Sequence, residues 1–295
     1  MIVIFSAIRW LRRRLLPPDF PGRRFLRSAY VGLVRRTAWM QGGHGVPVSI
    51  GGCGTFELDP LIASGRYEEW GSGHNSGLAR WVVACTGKRT VLDVGAHIGL
   101  YTLPASRVIA PDGLIYAFEP AARNVEVLER HLRFNRVTNV RVVPCLVGQL
   151  DTGAAAFFER ADQVDGMNAV AVHKQRHLYV ETSRPQVTLD RFCADEGIRP
   201  DVVKIDVEGA EMNLIRGATR VLREDRPTLF LSVHPGRLEA LDASPDAVAT
   251  LLTQLGYRAY RHDGATATRL EFDEYVIVPA ERAGATLEES WLSAH

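Results

Sequence analysis

The chain has 295 residues, 46% of them hydrophobic and 23% charged, with a formal net charge of +1. That composition excludes a disordered or collagen-like chain and allows a sizeable core, in one large α/β domain with appended segments or in two small domains. The near-neutral balance gives no overall attraction to nucleic acid or acidic substrates. Cys53, Cys85, Cys145 and Cys193 are widely spaced without a CxxC pair, so they suggest neither a zinc knuckle nor a disulfide framework and read as small buried residues in a reducing, cytoplasmic compartment.

Residues 1–45 form a basic N-terminal segment with helical character. From Met1 to Met40 there are nine arginines against one acid, Asp19, and MIVIFSAIRWL precedes Arg12, Arg13 and Arg14. A secretory signal carries its positive charge before the apolar run, so export is not expected. No stretch approaches the roughly 20 apolar residues that span a bilayer. Two readings stand for this segment: peripheral contact with anionic lipid or a membrane-bound partner, and a solvated helix docked on the main domain.

From Thr90 onward, short apolar runs alternate with helical patterns, the signature of a parallel sheet wrapped by helices. Strands are expected at Thr90 to Val94, Leu114 to Phe118, Val140 to Pro144, Val202 to Asp206 and Thr228 to Val233. Val125, Leu128 and Leu132 recur at helical spacing, as do Val248, Leu251, Leu252 and Leu255. The latter helix is punctuated by Ser244 as its cap, Pro245 in its first turn and Gly256 after its last apolar residue. Tyr257 to Arg261 and Glu274 to Val278 follow without an intervening helix and read as an antiparallel hairpin. Between Ala154 and Gln186 the alternation breaks into an irregular insertion with a short strand at Ala154 to Phe158, the kind of segment that often binds ligands.

VLDVGAHIG, from Val91 to Gly99, places Gly95 and Gly99 in the first βα turn, where backbone approaches a ligand in an open α/β sheet. A dinucleotide fingerprint needs a middle glycine to admit a pyrophosphate, and His97 stands there instead, which argues against a nicotinamide cofactor. Glu119, followed by Pro120, ends the next strand 24 residues after Gly95, where a carboxylate accepts both hydroxyls of a ribose. The plainer reading is a tight turn with an exposed glutamate beyond it.

VLDVGAHIGLYTLPAS, IYAFEP and VVKIDVEGAE followed by Gly217 resemble the FkbM-type family of class I methyltransferases, over Trp81 to Pro279. The resemblance implies a Rossmann-like fold with a mostly parallel seven-stranded sheet in the order 3-2-1-4-5-7-6, an antiparallel C-terminal hairpin and helices on both faces, as a core at 90–280 carrying the insertion at 154–186, with a tail at 281–295. It implies S-adenosylmethionine as cofactor, with Asp93, Gly95, Ala96, His97 and Gly99 around its methionine part and Glu119 with Pro120 at its ribose. It also implies a pre-core segment at 46–89 that covers the cofactor, with Glu69, His74 and Asn75 as candidates; the alternative is a surface loop leading into a helix from Leu78 to Ala84. His97 departs from the asparagine common in relatives but keeps hydrogen-bonding capacity.

Methyl transfer to a hydroxyl requires alignment and removal of a proton. Strand alternation puts Lys204 and Asp206 on one side, with Glu208 beyond. A lysine inside an apolar parallel strand needs a partner. Asp206 is then an acid or base with Glu208 and Lys204 setting its charge, or Lys204 and Asp206 are a buried structural pair; Glu211 reads as an ordinary first-turn glutamate. His234, ending TLFLSV, is a candidate base or a histidine capping the backbone. Asp206 and His234 would also suit a divalent cation, without establishing one. Met167 and Asn168 in the insertion are further contact candidates. The expected function is O-methylation of a sugar, glycan or secondary-metabolite hydroxyl, the acceptor class following from the resemblance. Alternatives are an amine or carboxylate acceptor, a non-catalytic cofactor-binding scaffold, and an oxidoreductase; nucleic acid is disfavoured because no NPPY signature follows the fourth strand.

Overall fold

The computed structural model describes residues 45–60, 62, 77–160, 164–170 and 179–283. The basic N-terminal segment, Glu69, His74, Asn75 and most of the C-terminal tail lie outside the described residues.

The seven-stranded sheet comprises β3 (Thr90–Val94), β4 (Leu114–Phe118), β5 (Val140–Val143), β9 (Val202–Ile205), β10 (Thr228–Ser232), β11 (Tyr257–Tyr260) and β12 (Glu274–Pro279). Its spatial order is β11-β12-β10-β9-β3-β4-β5, which is the order 3-2-1-4-5-7-6 read from the opposite edge. Strands β3, β4, β5, β9 and β10 are parallel, and β12 runs antiparallel to both its neighbours. The first residue of β12, Glu274, therefore sits at the carboxyl edge of the parallel strands, opposite Ser232.

Alternate residues of each strand feed two cores, because a parallel sheet buries both faces. Leu92, Val94, Val203, Ile205, Leu229 and Leu231 face one; Val91, Ile115, Ala117, Val202, Phe230 and Val276 face the other. Full burial of such a side chain contributes roughly 1.5–3 kcal/mol. Helix α1 (Gly77–Cys85) buries Trp81 in the second core, its indole edge against Phe230 and its N–H donated to the Tyr101 carbonyl. After β3 comes the short α2 (Thr102–Ser106), and after β4 the amphipathic α3 (Ala122–Phe134), which turns Val127, Leu128, His131 and Leu132 inward. His131 Nε2 accepts from the Asp59 N–H while its Nδ1 meets the Ile98 carbonyl, tying the loop after β3 to the hairpin of β1 (Val46–Ser49) and β2 (Thr55–Leu58).

The insertion is more regular than its sequence implies. β6 (Leu146–Val147), β7 (Thr152–Glu159) and β8 (Val180–Val187) form a three-stranded sheet in the order β6-β8-β7. β8 reads VETSRPQV and is partly exposed along its length, so it carries no apolar alternation from which a strand is recognised. Pro185 has no N–H to donate, and the register irregularity in β7 between Thr152 and Ala155 falls opposite it. The chain returns through α4 (Leu189–Glu196), capped by Thr188, to β9, then α5 (Glu211–Arg216), β10, α6 (Pro235–Leu238) and α7 (Pro245–Gln254), whose Ser244 cap accepts from the Ala247 N–H as expected.

Candidate active site

A cavity of about 430 Å³ lies along the carboxyl edge of the sheet. One end is built by the turn after β3. Gly95 adopts φ +89°, and a Cβ there would stand 1.9 Å from the Asp206 carbonyl oxygen, so only glycine lets the turn lie against the end of β9. The backbone donors of this turn are committed internally: Gly95 and Ala96 N–H both donate to the Phe118 carbonyl, Gly99 N–H to the Ala96 carbonyl, and His97 N–H to Glu119 Oε2 at 2.9 Å. Those four donors are thereby committed within the chain and not offered to a phosphate. That agrees with His97 standing where a pyrophosphate loop has glycine.

Glu119 is 5% exposed and lines the cavity. Its Oε1 accepts from the Ala121 N–H at 2.9 Å and the Asn124 Nδ2 at 3.2 Å. Burial raises its pKa to about 7 against these donors. His97 itself takes a left-handed φ of +51°, and burial pushes its pKa down to about 4, leaving a neutral ring whose Nε2 has no partner among the described residues. Asp93, on β3, accepts from Thr102 Oγ1 at 2.6 Å through Oδ2, while its buried Oδ1 is unpartnered among the described residues. Asp93, Gly95, Ala96, His97, Glu119 and Pro120 line the cavity as expected, and Gly99 does not. A Cβ on Gly99 would meet Leu128 Cδ1 at 2.7 Å, so that glycine admits α3 to the turn and does not contact the cavity.

The other end is built by the ends of β9, β10 and β12. Lys204, 2% exposed, sits in register beside Asp93 and donates to Asp206 Oδ2 at 2.8 Å, with its ammonium 4.5 Å from the centre of the Tyr101 ring. Burial disfavours its charge, but Asp206, Glu274 and Asp93 outweigh that and hold it firmly protonated. Burial likewise opposes the Asp206 charge, and Lys204 with His234 reverses the balance and holds its pKa low. The structural-pair reading and the reactive reading of Lys204 and Asp206 are thus compatible: one carboxylate oxygen is held by the lysine, and Oδ1 faces His234 Nε2 at 3.7 Å.

His234 precedes α6 without bonding the backbone as a side-chain cap. Its Nδ1 lies 2.7 Å from Glu211 Oε1, the oxygen that also accepts from the Gly209 N–H. Glu211 is therefore a helix-start glutamate that also grips the histidine, a second role its sequence position did not suggest. Glu208, at φ +52°, directs Oε1 toward His234 Nε2 at 3.7 Å and holds Arg237 Nε with Oε2 at 3.1 Å. Burial raises the Glu208 pKa to about 7, and although burial works against a charged His234, Glu211, Glu208 and Asp206 raise the pKa of the imidazole. The donor atoms of Asp206, Glu208 and His234 lie within 4.8 Å of one another.

Two further residues at this end escaped the sequence reading. Glu274 accepts from the Tyr101 hydroxyl at 2.8 Å, and burial raises its pKa to about 7. Its signal was its place as the first residue of an antiparallel strand. Phe272, 59% exposed, sets its ring edge-on to His234 with centroids 5.7 Å apart. Met167 is exposed and reaches the site only through its carbonyl, whereas Asn168 lines the cavity.

Residues 93–259 match the profile of the Methyltransferase FkbM domain. The chain belongs to the FkbM methyltransferase family. Proteins similar to it include Methyltransferase 1 of Beauveria bassiana (strain ARSEF 2860), 31% identical over 143 residues that cover 43% of this chain and 57% of that one. Methyltransferase sdnD of Sordaria araneosa is 29% identical over 157 residues, covering 43% and 59%. The aligned regions span less than two thirds of both curated relatives. A solved Methyltransferase FkbM from Methylobacillus flagellatus KT shares 17% identity at a TM-score of 0.40, covering 65% of this chain and 44% of that one. Among the described residues no helix is long and apolar enough to cross a membrane.

Proposed function

We propose that the chain is an S-adenosylmethionine-dependent methyltransferase acting on a hydroxyl of a sugar, glycan or secondary metabolite. The observation that carries this reading is one cavity with two unlike ends, lined by His97 and Glu119 beside the glycine turn at one and by the titratable cluster Asp206, Glu208 and His234 at the other. The first end fits the cofactor. Glu119 Oε2 takes a single donor from the chain, leaving capacity for ribose hydroxyls, and the unpartnered Asp93 Oδ1 and His97 Nε2 are groups that a polar amino-acid moiety would satisfy. When bound, the sulfonium supplies an electrophilic methyl group.

At the second end His234, with Nδ1 held by Glu211, offers Nε2 to the acceptor hydroxyl. Nε2, in its neutral form, would take the proton that the acceptor hydroxyl gives up when it is methylated. Asp206 and Glu208 then stabilise the imidazolium. Lys204 holds Asp206 in place and keeps it ionised. Three groups able to accept or stabilise a proton favour a hydroxyl acceptor; the sugar and metabolite class rests on the family resemblance.

A second reading of the same three residues is favoured by their arrangement. Each has one atom held from outside, by Lys204, Arg237 or Glu211, and its other donor turned to a shared point. Asp206, Glu208 and His234 would hold a divalent cation there, and its chemistry would be polarisation of the acceptor oxygen.

The test is incubation of the enzyme with methyl-labelled S-adenosylmethionine and metabolite or glycan extracts, read by mass spectrometry. A labelled product that disappears with Asp206→Ala and His234→Ala supports the reading. Cofactor binding without transfer to any acceptor would favour a scaffold, and label on nitrogen or carboxylate would move the acceptor class. Turnover that survives a chelator supports His234 as the base; turnover restored only by added Mg²⁺ or Mn²⁺ supports the cation.

A further inference from the structure

Asp165, Gly166 and Asn168 of the insertion line this cavity, and residues 165–167 are bonded toward both of its ends. On the nucleoside side, Asn124 of α3 exchanges two hydrogen bonds with the backbone of Asp165: its Nδ2 donates to the Asp165 carbonyl at 3.0 Å, and its Oδ1 accepts from the Asp165 N–H at 3.2 Å. The same Nδ2 reaches Glu119 Oε1 at 3.2 Å. On the acceptor side, Arg237 Nη1 donates to the Met167 carbonyl at 3.2 Å while its Nε holds Glu208. Between these anchors Gly166 lies over His97, where a Cβ would be in ordinary contact with the imidazole at 3.6 Å. Asp165 Oδ1 accepts from the Met167 N–H, and Asn168 Nδ2 donates to the Asp165 carbonyl, so the turn is internally braced.

We propose that residues 164–168 form a strap whose anchors, Asn124 and Arg237, couple the nucleoside end of the cavity to the acceptor-side carboxylate Glu208. The inference rests on the cofactor reading above and goes beyond it. A nucleoside hydroxyl that bonds Glu119 fixes the carboxylate orientation, and with it the Asn124 amide that is bonded to Glu119 and to Asp165 together. A braced turn transmits that restraint to the Met167 carbonyl and so to Arg237. Arg237 then holds Glu208 in a single position beside His234. Asn124 and Arg237 are positioning residues in this scheme, since Asn124 acts through Glu119 and the strap, and Arg237 acts through Glu208. Coupling of this kind is reciprocal: loosening the Arg237 anchor must weaken ligand binding at the far end by the factor with which the ligand tightens the strap.

The probe is S-adenosylhomocysteine, with calorimetric titration and amide hydrogen exchange on the full chain. In the unaltered protein, saturation is expected to slow exchange across 164–169 by at least about fivefold. Arg237→Gln, remote from the nucleoside end, is expected to remove most of that protection and to weaken binding by on the order of fivefold, with Arg237→Lys recovering part of both. Asn124→Ala, at the opposite anchor, is expected to do the same, so the result does not depend on one variant folding. Binding without any change in exchange at 164–169 would overturn the strap and leave the cofactor reading intact, as would unchanged affinity in both Arg237→Gln and Asn124→Ala. Failure of the unaltered protein to bind S-adenosylhomocysteine would overturn both.

Discussion

His234 Nδ1 and Glu211 Oε1 lie 2.7 Å apart, joining the end of β10 to the first turn of α5 beneath the acceptor end of the cavity. Glu211 is wholly buried, and its other oxygen, Oε2, has no partner among the described residues. A carboxylate is kept in so unfavourable a place only if the group it holds is worth fixing. Glu211→Gln removes the charge with little change of shape. It is expected to lower the His234 pKa, read from imidazole chemical shifts in a pH titration without divalent ions. Glu211→Ala is expected to destabilise the fold by about 1–3 kcal/mol in chemical denaturation, since a bond to a charged group is lost in a closed interior.

Gly95 makes a sharper prediction about the fold. Its carbonyl-facing position and φ of +89° leave no room for a side chain, so Gly95→Ala must separate the turn from the end of β9. A loss of about 2–4 kcal/mol is expected, with a fall in cofactor affinity. Gly99 shares the φ of +89° and its strain, but the one close neighbour of a Cβ there is the movable tip of Leu128 and not a backbone carbonyl, so Gly99→Ala is expected to cost less and to leave affinity near that of the parent. Denaturation midpoints and titration of both variants check this ranking.

Lys204 is the cation that favours the ionised forms of Asp93, Asp206 and Glu274 alike at this end of the cavity. Lys204→Met removes the counter-charge that these acids share. The expected cost is about 3–5 kcal/mol at neutral pH, with partial recovery on acidification as the carboxyls take up protons. A stability profile between pH 5 and pH 8 reads both, and a flat profile would contradict the assigned pairing.

The strands and the glycine turn were legible because they depend on patterns the backbone imposes, apolar runs such as TVLDV and VVKI and a turn where only Gly95 fits, whereas the sheet order followed from the family resemblance. The contribution of β8 was not, because VETSRPQV lies partly exposed on a small second sheet and needs no apolar face. At the site, Glu119, Asp206 and His234 were legible as polar residues ending apolar strands, and Asp93 through the family resemblance. Glu274 was placed on an antiparallel strand but not at the site, because the pairing of β12 with β10 that brings it there is not local, and Arg237 sits on the short α6, which no local pattern announces. Glu211 was misjudged in part because a first-turn glutamate has a sufficient local reason to exist.

Glu119 links pH to cofactor binding. Ribose hydroxyls donate to its ionised form, and its pKa stands at about 7, so affinity is expected to fall as pH drops below 7, toward tenfold per unit at the acid limit. The stability effect has the opposite sign. Because folding raises this pKa, the folded chain holds the proton more tightly than the unfolded one, and that contribution, full below the ordinary glutamate pKa, is lost as pH rises through about 7. S-adenosylhomocysteine is therefore expected to raise the melting temperature more at pH 8 than at pH 6.

Calorimetric titration of S-adenosylhomocysteine into the purified chain and its Glu119→Gln variant at pH 8 bears most directly on the proposal that the crevice between the β3 turn and Glu119 holds the methyl donor. The expected result is one site per chain, weakened on the order of tenfold or more in the variant as charge-assisted bonds to the ribose are lost. No binding to the unaltered chain, or equal affinity in both, would contradict it.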